Sequence, residues 1–221
     1  MNWNIPNILT VLRLLAAPGV AVMFLYFHRP WADWFALTLF VSAAVTDWFD
    51  GYLARLWKQE SKFGAMLDPI ADKAMVVIAL LIITGYSGMN PWLILPATII
   101  LFREVFVSGL REFLGAKAVT LKVTKLAKWK TTAQMVAIAV LFLGTGLEYL
   151  NGIAMQGMTT EQYAEAVTAG LADPIRACGQ RDCASFATTV GLGLIWIAAI
   201  LTFLTGWEYF QKSIPHLRDE K

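Results

Sequence analysis

Charged residues are scarce in this chain, making up 15% of its 221 residues, whereas they make up about a quarter of a typical soluble domain. The deficit lies in apolar runs of roughly 20 residues, a length that crosses a bilayer core of about 30 Å as a helix. Buried helices of a soluble protein would keep a polar face at every turn, and most of these runs have none. The composition therefore excludes an ordinary soluble domain, and a formal net charge of +2 gives nucleic-acid binding no support.

Cysteine and histidine are also scarce, with two residues of each. Cys178 and Cys183 have no second Cys or His pair beside them, which argues against zinc binding there. We expect them either to be free thiols or to close a small disulfide loop in an oxidising compartment. Met1 to Asn7 lacks the basic start of a signal peptide, and no cleavage site follows the first apolar run, so we expect that run to remain as a span.

Six apolar runs predict an all-α integral membrane fold with six transmembrane helices, in a single domain over residues 1–221. A longer, more polar stretch from Asn151 to Ala187 is predicted to be a loop. The predicted spans are about Ile8 to Phe27, Trp34 to Leu53, Gly64 to Gly85, Pro91 to Leu114, Thr132 to Leu150 and Thr188 to Phe210.

Lys and Arg are distributed unevenly between the two sides of this arrangement. Fifteen of the 18 fall on the side of the termini, and Arg29, Arg176 and Arg181 fall on the other. Because cytoplasmic segments of membrane proteins carry the excess of Lys and Arg, both termini are predicted to be cytoplasmic. The loop 151–187 is then extracytoplasmic, and the predicted location is the inner (cytoplasmic) membrane.

Four aspartates lie at the predicted cytoplasmic ends of the second and third spans. Asp47 and Asp50 are three residues apart, and Asp68 and Asp72 are four apart, so each pair shares one face of its helix. A helical hairpin across Leu56 to Phe63 would let the two faces meet. We therefore expect the four carboxylates to converge just inside the cytoplasmic leaflet.

Such an acidic cluster needs cations beside it. A charged side chain within a membrane helix costs about 2.5–3.5 kcal/mol on insertion scales, and four crowded carboxylates repel one another. Oxygen ligands suit Mg²⁺, Mn²⁺ or Ca²⁺, and His28 and His216 lie far from the cluster in sequence. The aspartates therefore predict a site for divalent metal ions. Structural ion pairs are the alternative, and they explain one or two aspartates better than four.

The aspartates belong to a longer pattern of fixed residues, which consists of Asp47, Asp50, Gly51, Ala54, Arg55, Gly64, Asp68 and Asp72. This pattern and its spacing resemble the signature of the CDP-alcohol phosphotransferase family. The six-span layout, with the signature on spans two and three, is also similar to that family. The resemblance therefore covers nearly the whole chain.

The resemblance implies a metal-dependent enzyme in which the hydroxyl of an alcohol attacks the phosphorus of CDP-diacylglycerol and CMP leaves. It implies two divalent metal ions (Mg²⁺ or Mn²⁺) held by the four aspartates, with Asp72 also serving as the general base. It further implies a homodimer whose active sites face the cytoplasm. The residues that would line the CMP portion are Asp50, Gly51, Ala54, Arg55 and Gly64.

Three further stretches resemble one branch of the family, the phosphatidylglycerophosphate synthases, whose acceptor is glycerol 3-phosphate. They are Asn4 to Leu14, Phe102 to Gly115 and Leu126 to Met135. A phosphorylated acceptor also suits the basic residues at the inner ends of spans four and five, because Arg grips phosphate bidentately and Lys supplies a point charge. The residues predicted to bind the acceptor phosphate are Arg103, Arg111, Lys128 and Lys130, and Arg13, with Asn7 and Thr10, is expected to add polar contacts.

Two alternatives remain at this point. A sibling enzyme could use serine, inositol phosphate or phosphatidylglycerol, although an acceptor without phosphate would leave the basic cluster underused. A cation-coupled transporter would also place acidic residues within spans, but it predicts charges spread across membrane depth or helices broken at the midplane. Arg103 and its neighbour Glu104 form an internal pair that is either structural or faces the pocket.

Overall fold

The computed structural model describes residues 5–29, 31–57, 62–115, 125–155, 161–162 and 174–217. Six long α-helices account for nearly all of these residues, and the described part of the chain contains no β-strand. The helices are α1 (Ile5–Tyr26), α2 (Trp31–Trp57), α3 (Lys62–Tyr86), α4 (Pro91–Leu114), α5 (Lys125–Met155) and α6 (Pro174–Leu217). The predicted all-α fold is therefore confirmed.

Four of the helices are long and apolar enough to cross a membrane, by length and composition. Many large apolar side chains on the outside of the bundle are more than half exposed, among them Leu15, Leu81 and Phe102. Such a surface suits lipid, because acyl chains solvate apolar side chains that water would not. The candidate spans are Asn7–Tyr26, Pro91–Leu114, Trp129–Leu150 and Phe186–Pro215.

The prediction of a loop from Asn151 to Ala187 is wrong at both of its ends. Helix α5 continues to Met155, and α6 begins at Pro174. Hydropathy failed here because it reports only whether side chains suit lipid or water. A helix can continue beyond the apolar layer with polar side chains, because its hydrogen bonds lie within its own backbone. Residues 156–160 and 163–173 of the predicted loop lie outside the described residues.

Cys178 and Cys183 both fall within α6. Five residues of α-helix rise about 7.5 Å, which exceeds the usual Cα separation across a disulfide. Closing a small disulfide loop would therefore require a backbone different from this helix.

Helix α1 packs against α2 and α3, and α5 packs most extensively against α6. Two glycines allow the close approach of α5 and α6. A Cβ at Gly144 would lie 2.8 Å from Oγ1 of Thr188, and a Cβ at Gly191 would lie 2.8 Å from Cδ2 of Leu141. Small residues of this kind let membrane helices bring their backbones together. The largest buried apolar side chains include Phe40, Leu80, Ile100, Ile138, Phe142 and Ile195.

One end of the bundle is held by Arg29, which follows α1. Its guanidinium donates to both carboxylate oxygens of Asp33 at 2.5 and 2.7 Å, and to the backbone oxygen of Thr145 at 2.9 Å. It also lies over the rings of Tyr86 and Tyr149, at 5.1 and 4.5 Å from their centroids. Asp33 is 1% exposed, so this cluster joins α2, α3 and α5 around a buried carboxylate at the end of the bundle opposite the four aspartates.

Candidate functional site

The buried face of α1 changes character along the helix. Asn7, Thr10 and Arg13 are buried near its start, and Ala17 and Val20 are buried further along. These positions are three or four residues apart, which places them on one stripe of the helix. The polar part of this stripe faces the ends of α2 and α3 that carry the aspartates.

Arg13 connects two of the predicted metal ligands. Its Nη1 donates a hydrogen bond to Oδ1 of Asp47 on α2 and lies 3.6 Å from Oδ1 of Asp72 on α3. The Arg13 side chain is 2% exposed. The structure therefore brings Asp47 and Asp72 together around one buried guanidinium of α1, which packs against both α2 and α3. The predicted direct meeting of the faces of α2 and α3 is replaced by this contact through α1.

Asp68 is held by a different residue of the same stripe. Thr10 donates its hydroxyl to Oδ1 of Asp68 at 2.8 Å. Asp68 is exposed, while Gly64, one turn earlier on α3, is buried. Three of the four aspartates thus lie against the polar face of α1.

Several predicted site residues fall where the structure describes the backbone but not the side chain. Four of them lie in the helical backbone of α2, namely Asp50, Gly51, Ala54 and Arg55, and the fifth, Lys128, lies in that of α5. Their predicted roles lie outside what the described side chains show.

The aspartate site was predicted to hold divalent metal ions, and its donor atoms suit them. Asp47, Asp68 and Asp72 offer carboxylate oxygens, the ligands that Mg²⁺ and Mn²⁺ prefer. Among the residues that the structure describes, Oδ1 of Asp72 is a buried acceptor without a hydrogen bond. The described Asp, Glu, Cys and His side chains form no group of three that could hold a metal ion as they stand, and the side chain of Asp50 is outside that set. The chemistry fits a divalent cation, and Arg13 supplies positive charge at the same oxygens.

A polar cavity of about 230 Å³ opens beside Asp72. Its walls come from α3, α4 and α5, so the three helices that carry the predicted catalytic and acceptor residues meet there. Arg103, Arg111 and Lys130, three of the four residues predicted to bind the acceptor phosphate, line this cavity together. The lining residues are Pro69, Asp72, Lys73, Val76, Arg103, Glu104, Arg111, Lys130, Thr131, Gln134 and Met135.

Glu104 organises the cations of this cavity. Lys130 donates to Oε1 of Glu104 from α5, and Arg103 Nη1 lies 3.3 Å from the same oxygen. The side chains of Glu104, Lys130 and Arg103 are 13, 7 and 14% exposed. The pair of Arg103 and Glu104 that the sequence left open therefore faces the cavity and also joins α4 to α5.

Two further contacts set the positions of the basic residues. Lys73 donates to the hydroxyl of Ser108, which donates to the backbone oxygen of Glu104 at 2.6 Å. The guanidinium of Arg111 lies over the ring of Tyr209 on α6, at 5.3 Å from its centroid. These contacts hold Lys73 and Arg111 at the rim of the cavity without neutralising their charge.

An apolar groove of about 430 Å³ lies on the other side of Arg103, between α4 and α6. Arg103 lines both the groove and the polar cavity, so it forms part of the wall between an apolar and a polar compartment. The remaining lining residues of the groove are Thr98, Ile99, Phe102, Phe106, Phe203, Gly206, Trp207 and Phe210.

The sequence interpretation missed three contributors to the site. Lys73, which lies next to Asp72, and Gln134 were not predicted as site residues, and Glu104 was given no function. Gln134 is 2% exposed and lines the cavity. Its signal in the sequence is an amide side chain one turn after Lys130, in a span that is mostly apolar.

The chain is similar to known proteins of one family. Residues 3–204 match the family described as CDP-alcohol phosphatidyltransferase. A protein from Cereibacter sphaeroides named CDP-diacylglycerol–glycerol-3-phosphate 3-phosphatidyltransferase is 85% identical over 221 residues, which is 100% of both chains. A protein of the same name from Shigella flexneri is 40% identical over 184 residues, covering 78% of this chain and 100% of its own. Another, from Salmonella choleraesuis, is 44% identical over 141 residues, covering 63% and 76% respectively.

Proposed function

This chain belongs to the CDP-alcohol phosphatidyltransferase family, and we infer that it transfers the phosphatidyl group of CDP-diacylglycerol to glycerol 3-phosphate. The products are phosphatidylglycerophosphate and CMP. The full-length relative that is 85% identical carries the name of this activity. The chain is therefore a membrane enzyme of phospholipid synthesis.

The observation that carries the choice of acceptor is the polar cavity beside Asp72. Lys73, Arg103, Arg111 and Lys130 all line it, and a phosphate monoester brings about two negative charges at neutral pH. Asp72 and Glu104 also line the cavity, and their two negative charges balance two of the four positive charges. Serine carries no net charge and would leave the remaining two unbalanced, which is costly inside a membrane protein. A phosphorylated acceptor is thus the one that the cavity suits.

We propose the following roles for the residues. Asp72, at the cavity wall, faces the acceptor hydroxyl, while Arg103, Arg111 and Lys130, together with Lys128, hold the acceptor phosphate. Asp50, Gly51, Ala54, Arg55 and Gly64 line the CMP portion, as the family resemblance implies. The residues proposed to hold two divalent ions, Mg²⁺ or Mn²⁺, are Asp47, Asp50, Asp68 and Asp72.

The reaction follows from these placements. The acceptor hydroxyl gives its proton to the carboxylate of Asp72, and its oxygen forms a bond to the phosphorus of the phosphatidyl group. The bond from that phosphorus to the CMP oxygen breaks, and CMP leaves with the electron pair. Divalent metal ions, when bound, neutralise the diphosphate and stabilise the entering and leaving oxygens. The cavity contributes mainly by holding the acceptor hydroxyl next to Asp72, because proximity replaces the entropy lost in a bimolecular encounter.

We also propose that α2 and α3 cross the membrane, giving six spans with both termini in the cytoplasm. The helices have 27 and 25 residues, and at 1.5 Å per residue even the shorter exceeds the bilayer core of about 30 Å. The positive-inside bias then directs the aspartates and the cavity toward the cytoplasm, in the inner membrane. Reporter fusions between α2 and α3 and after Lys221 test this topology: a cytoplasmic reporter should be active at both points, and a periplasmic reporter at neither. Periplasmic activity between α2 and α3 would show that these two helices do not cross.

We also propose that the chain forms a homodimer, as the family resemblance implies. Mass measurement of the protein in detergent, corrected for bound detergent, tests it. A mass of one chain at micromolar concentration would contradict this part and leave the proposed reaction intact.

The reaction is tested by CMP release from the purified chain in detergent with CDP-diacylglycerol and Mn²⁺. Glycerol 3-phosphate, serine, inositol phosphate and phosphatidylglycerol are offered separately. We expect release only with glycerol 3-phosphate, and loss of release with EDTA or in Asp72→Asn. Release with serine instead would overturn the choice of acceptor, and absence of release with every acceptor would overturn the enzyme itself. Asp33→Asn, in the cluster at the opposite end of the bundle, is the control that should retain turnover per folded molecule.

A further inference from the structure

Arg13 is buried among the carboxylates that we propose as metal ligands. It comes from α1, while its two acidic partners, Asp47 and Asp72, come from α2 and α3. One guanidinium therefore joins three helices at the aspartate site. Its side chain is 2% exposed, so the cation sits inside the bundle and cannot be replaced there by bulk solvent.

The physical need for such a cation is greatest when the site holds no metal. Carboxylates inside a membrane protein repel one another and are poorly solvated, and they stay ionised and close together only beside positive charge. In the described part of the chain, Oδ1 of Asp72 has no hydrogen bond, and Arg13 Nη1, at 3.6 Å, is its ion-pair partner. Arg13 is thus placed to offset one of the two negative charges of Asp47 and Asp72 when no metal is bound.

We propose that Arg13 is the resident counter-ion of the aspartate site, which offsets part of the negative charge of Asp47 and Asp72 before metal binds and competes with metal for these carboxylates. This inference rests on the proposed function, because it takes the aspartates as metal ligands. Arg13 makes its contacts to the Oδ1 atoms of both carboxylates. A divalent ion bound at the same carboxylates must share them with a fixed positive charge, so Arg13 and the metal weaken each other. Arg13 is a positioning residue in this account and takes no part in bond making.

The chain contains a matched control for this role. Arg29 also forms an ion pair with a buried aspartate of α2, Asp33, and its contacts lie at the opposite end of the bundle. Replacing either arginine by Met removes a cation from an ion pair with an aspartate of α2. Only the replacement of Arg13 changes the charge beside the proposed metal ligands.

The test is Mn²⁺ binding to the purified full-length chain in detergent, followed by the loss of the free Mn²⁺ signal in electron paramagnetic resonance. Arg13→Met should bind Mn²⁺ about five- to tenfold more tightly than the unchanged chain, because a unit charge a few Å from a divalent ion is removed. Arg13→Lys keeps the charge and should bind within about twofold of the unchanged chain. Arg29→Met should leave the Mn²⁺ affinity unchanged.

Thermal unfolding provides a second measurement on the same proteins. Arg13→Met should lower the unfolding temperature of the metal-free chain, and saturating Mn²⁺ should restore most of the loss. Arg29→Met should lower it equally with and without Mn²⁺. If Arg13→Met is too unstable to purify without metal, Arg13→Gln, which keeps hydrogen-bond donors without the charge, replaces it in both measurements.

The outcomes separate this inference from the proposed function. Unchanged or weaker Mn²⁺ binding in Arg13→Met, with binding intact in the unchanged chain, overturns the role of Arg13 alone. Failure of the unchanged chain to bind Mn²⁺ or Mg²⁺ overturns the proposed metal site and this inference with it. Tighter binding in both Arg13→Met and Arg29→Met would also overturn it, because the effect would then not depend on proximity to the aspartates.

Discussion

The side chain of Arg103 crosses α6 at Gly206, where an added Cβ would come within 2.8 Å of the Arg103 Cγ and 3.4 Å of its Nε. Beyond this crossing, Arg103 Nη2 lies 3.3 Å from the hydroxyl of Thr205 and Nη1 lies 3.3 Å from Glu104. The contact involves the base of the side chain, so relief of a clash there would move the whole guanidinium. Gly206 therefore allows Arg103 to reach the wall of the polar cavity.

Gly206→Ala should weaken binding of the acceptor. Displacement of Arg103 removes a charged partner of the phosphate, and a hydrogen bond to a charged group contributes about 1.5–3 kcal/mol. We expect the KM for glycerol 3-phosphate to rise on the order of tenfold, with a smaller change in the KM for CDP-diacylglycerol. Gly193→Ala on the same helix is the control, because an added Cβ there meets no atom within 4 Å. Equal kinetics for the two variants would show that Arg103 adjusts freely.

Glu104→Gln should destabilise the protein. Glu104 neutralises Lys130 and Arg103 in a part of the bundle where all three side chains are largely buried. Removal of one partner from a buried ion pair leaves uncompensated charge and costs about 3–5 kcal/mol. Because these side chains line an open cavity, we expect a cost near the lower end of that range. Thermal unfolding in detergent measures the loss of stability. Added inorganic phosphate should recover part of that stability by binding the cations that Glu104 no longer neutralises.

The control for Glu104 is Glu208→Gln, which removes an ion pair with Lys212 that is more than a third exposed on average. Surface pairs contribute about 0–1 kcal/mol, so this variant should unfold close to the unchanged chain. If Glu104→Gln unfolded at the same temperature as Glu208→Gln, the cations of the cavity would not depend on Glu104.

Asp33→Asn should affect stability without affecting substrate binding. Asp33 accepts both hydrogen bonds of Arg29 at the end of the bundle opposite the aspartate site, and Gly146 packs against it, with a Cβ there only 3.3 Å from the Asp33 Cβ. Loss of the buried charge removes the ion-pair partner of Arg29, at a cost of about 3 kcal/mol. The KM values for both substrates should stay unchanged at a temperature where the variant is folded. A raised KM for either substrate would show that this end of the bundle reaches the active site.

The sharing of one helix face by each pair of aspartates could be predicted because it depends only on spacings of three and four residues. The direct meeting of α2 and α3 was a wrong prediction, because both helices pack mainly against α1. Arg13 of α1 is what brings Asp47 and Asp72 together. The grouping of Arg103, Arg111 and Lys130 could also be predicted, since all three lie at the predicted cytoplasmic ends of two consecutive helices, and the structure places them in one cavity.

Contacts between helices that are distant in sequence were harder to predict. Lys130 reaches Glu104, and Arg13 reaches Asp47, only at one rotation of each helix about its axis, and that rotation is set by packing across the whole bundle. The polar ends of α5 and α6 were missed for a different reason. Hydropathy locates the apolar layer, whereas the helix end depends on backbone hydrogen bonds that continue beyond it.

The central claim is that the cavity beside Asp72 holds the phosphate of the acceptor, and Lys130 tests it most directly. Lys130 lines the cavity with its side chain 7% exposed. The measurement is the pair of KM values, for glycerol 3-phosphate and for CDP-diacylglycerol, in Lys130→Gln and in the exposed control Lys212→Gln. We predict a rise of about tenfold or more in the first KM and a change of less than about twofold in the second for Lys130→Gln, with neither changed in the control. An unchanged KM for glycerol 3-phosphate in folded Lys130→Gln would contradict the account.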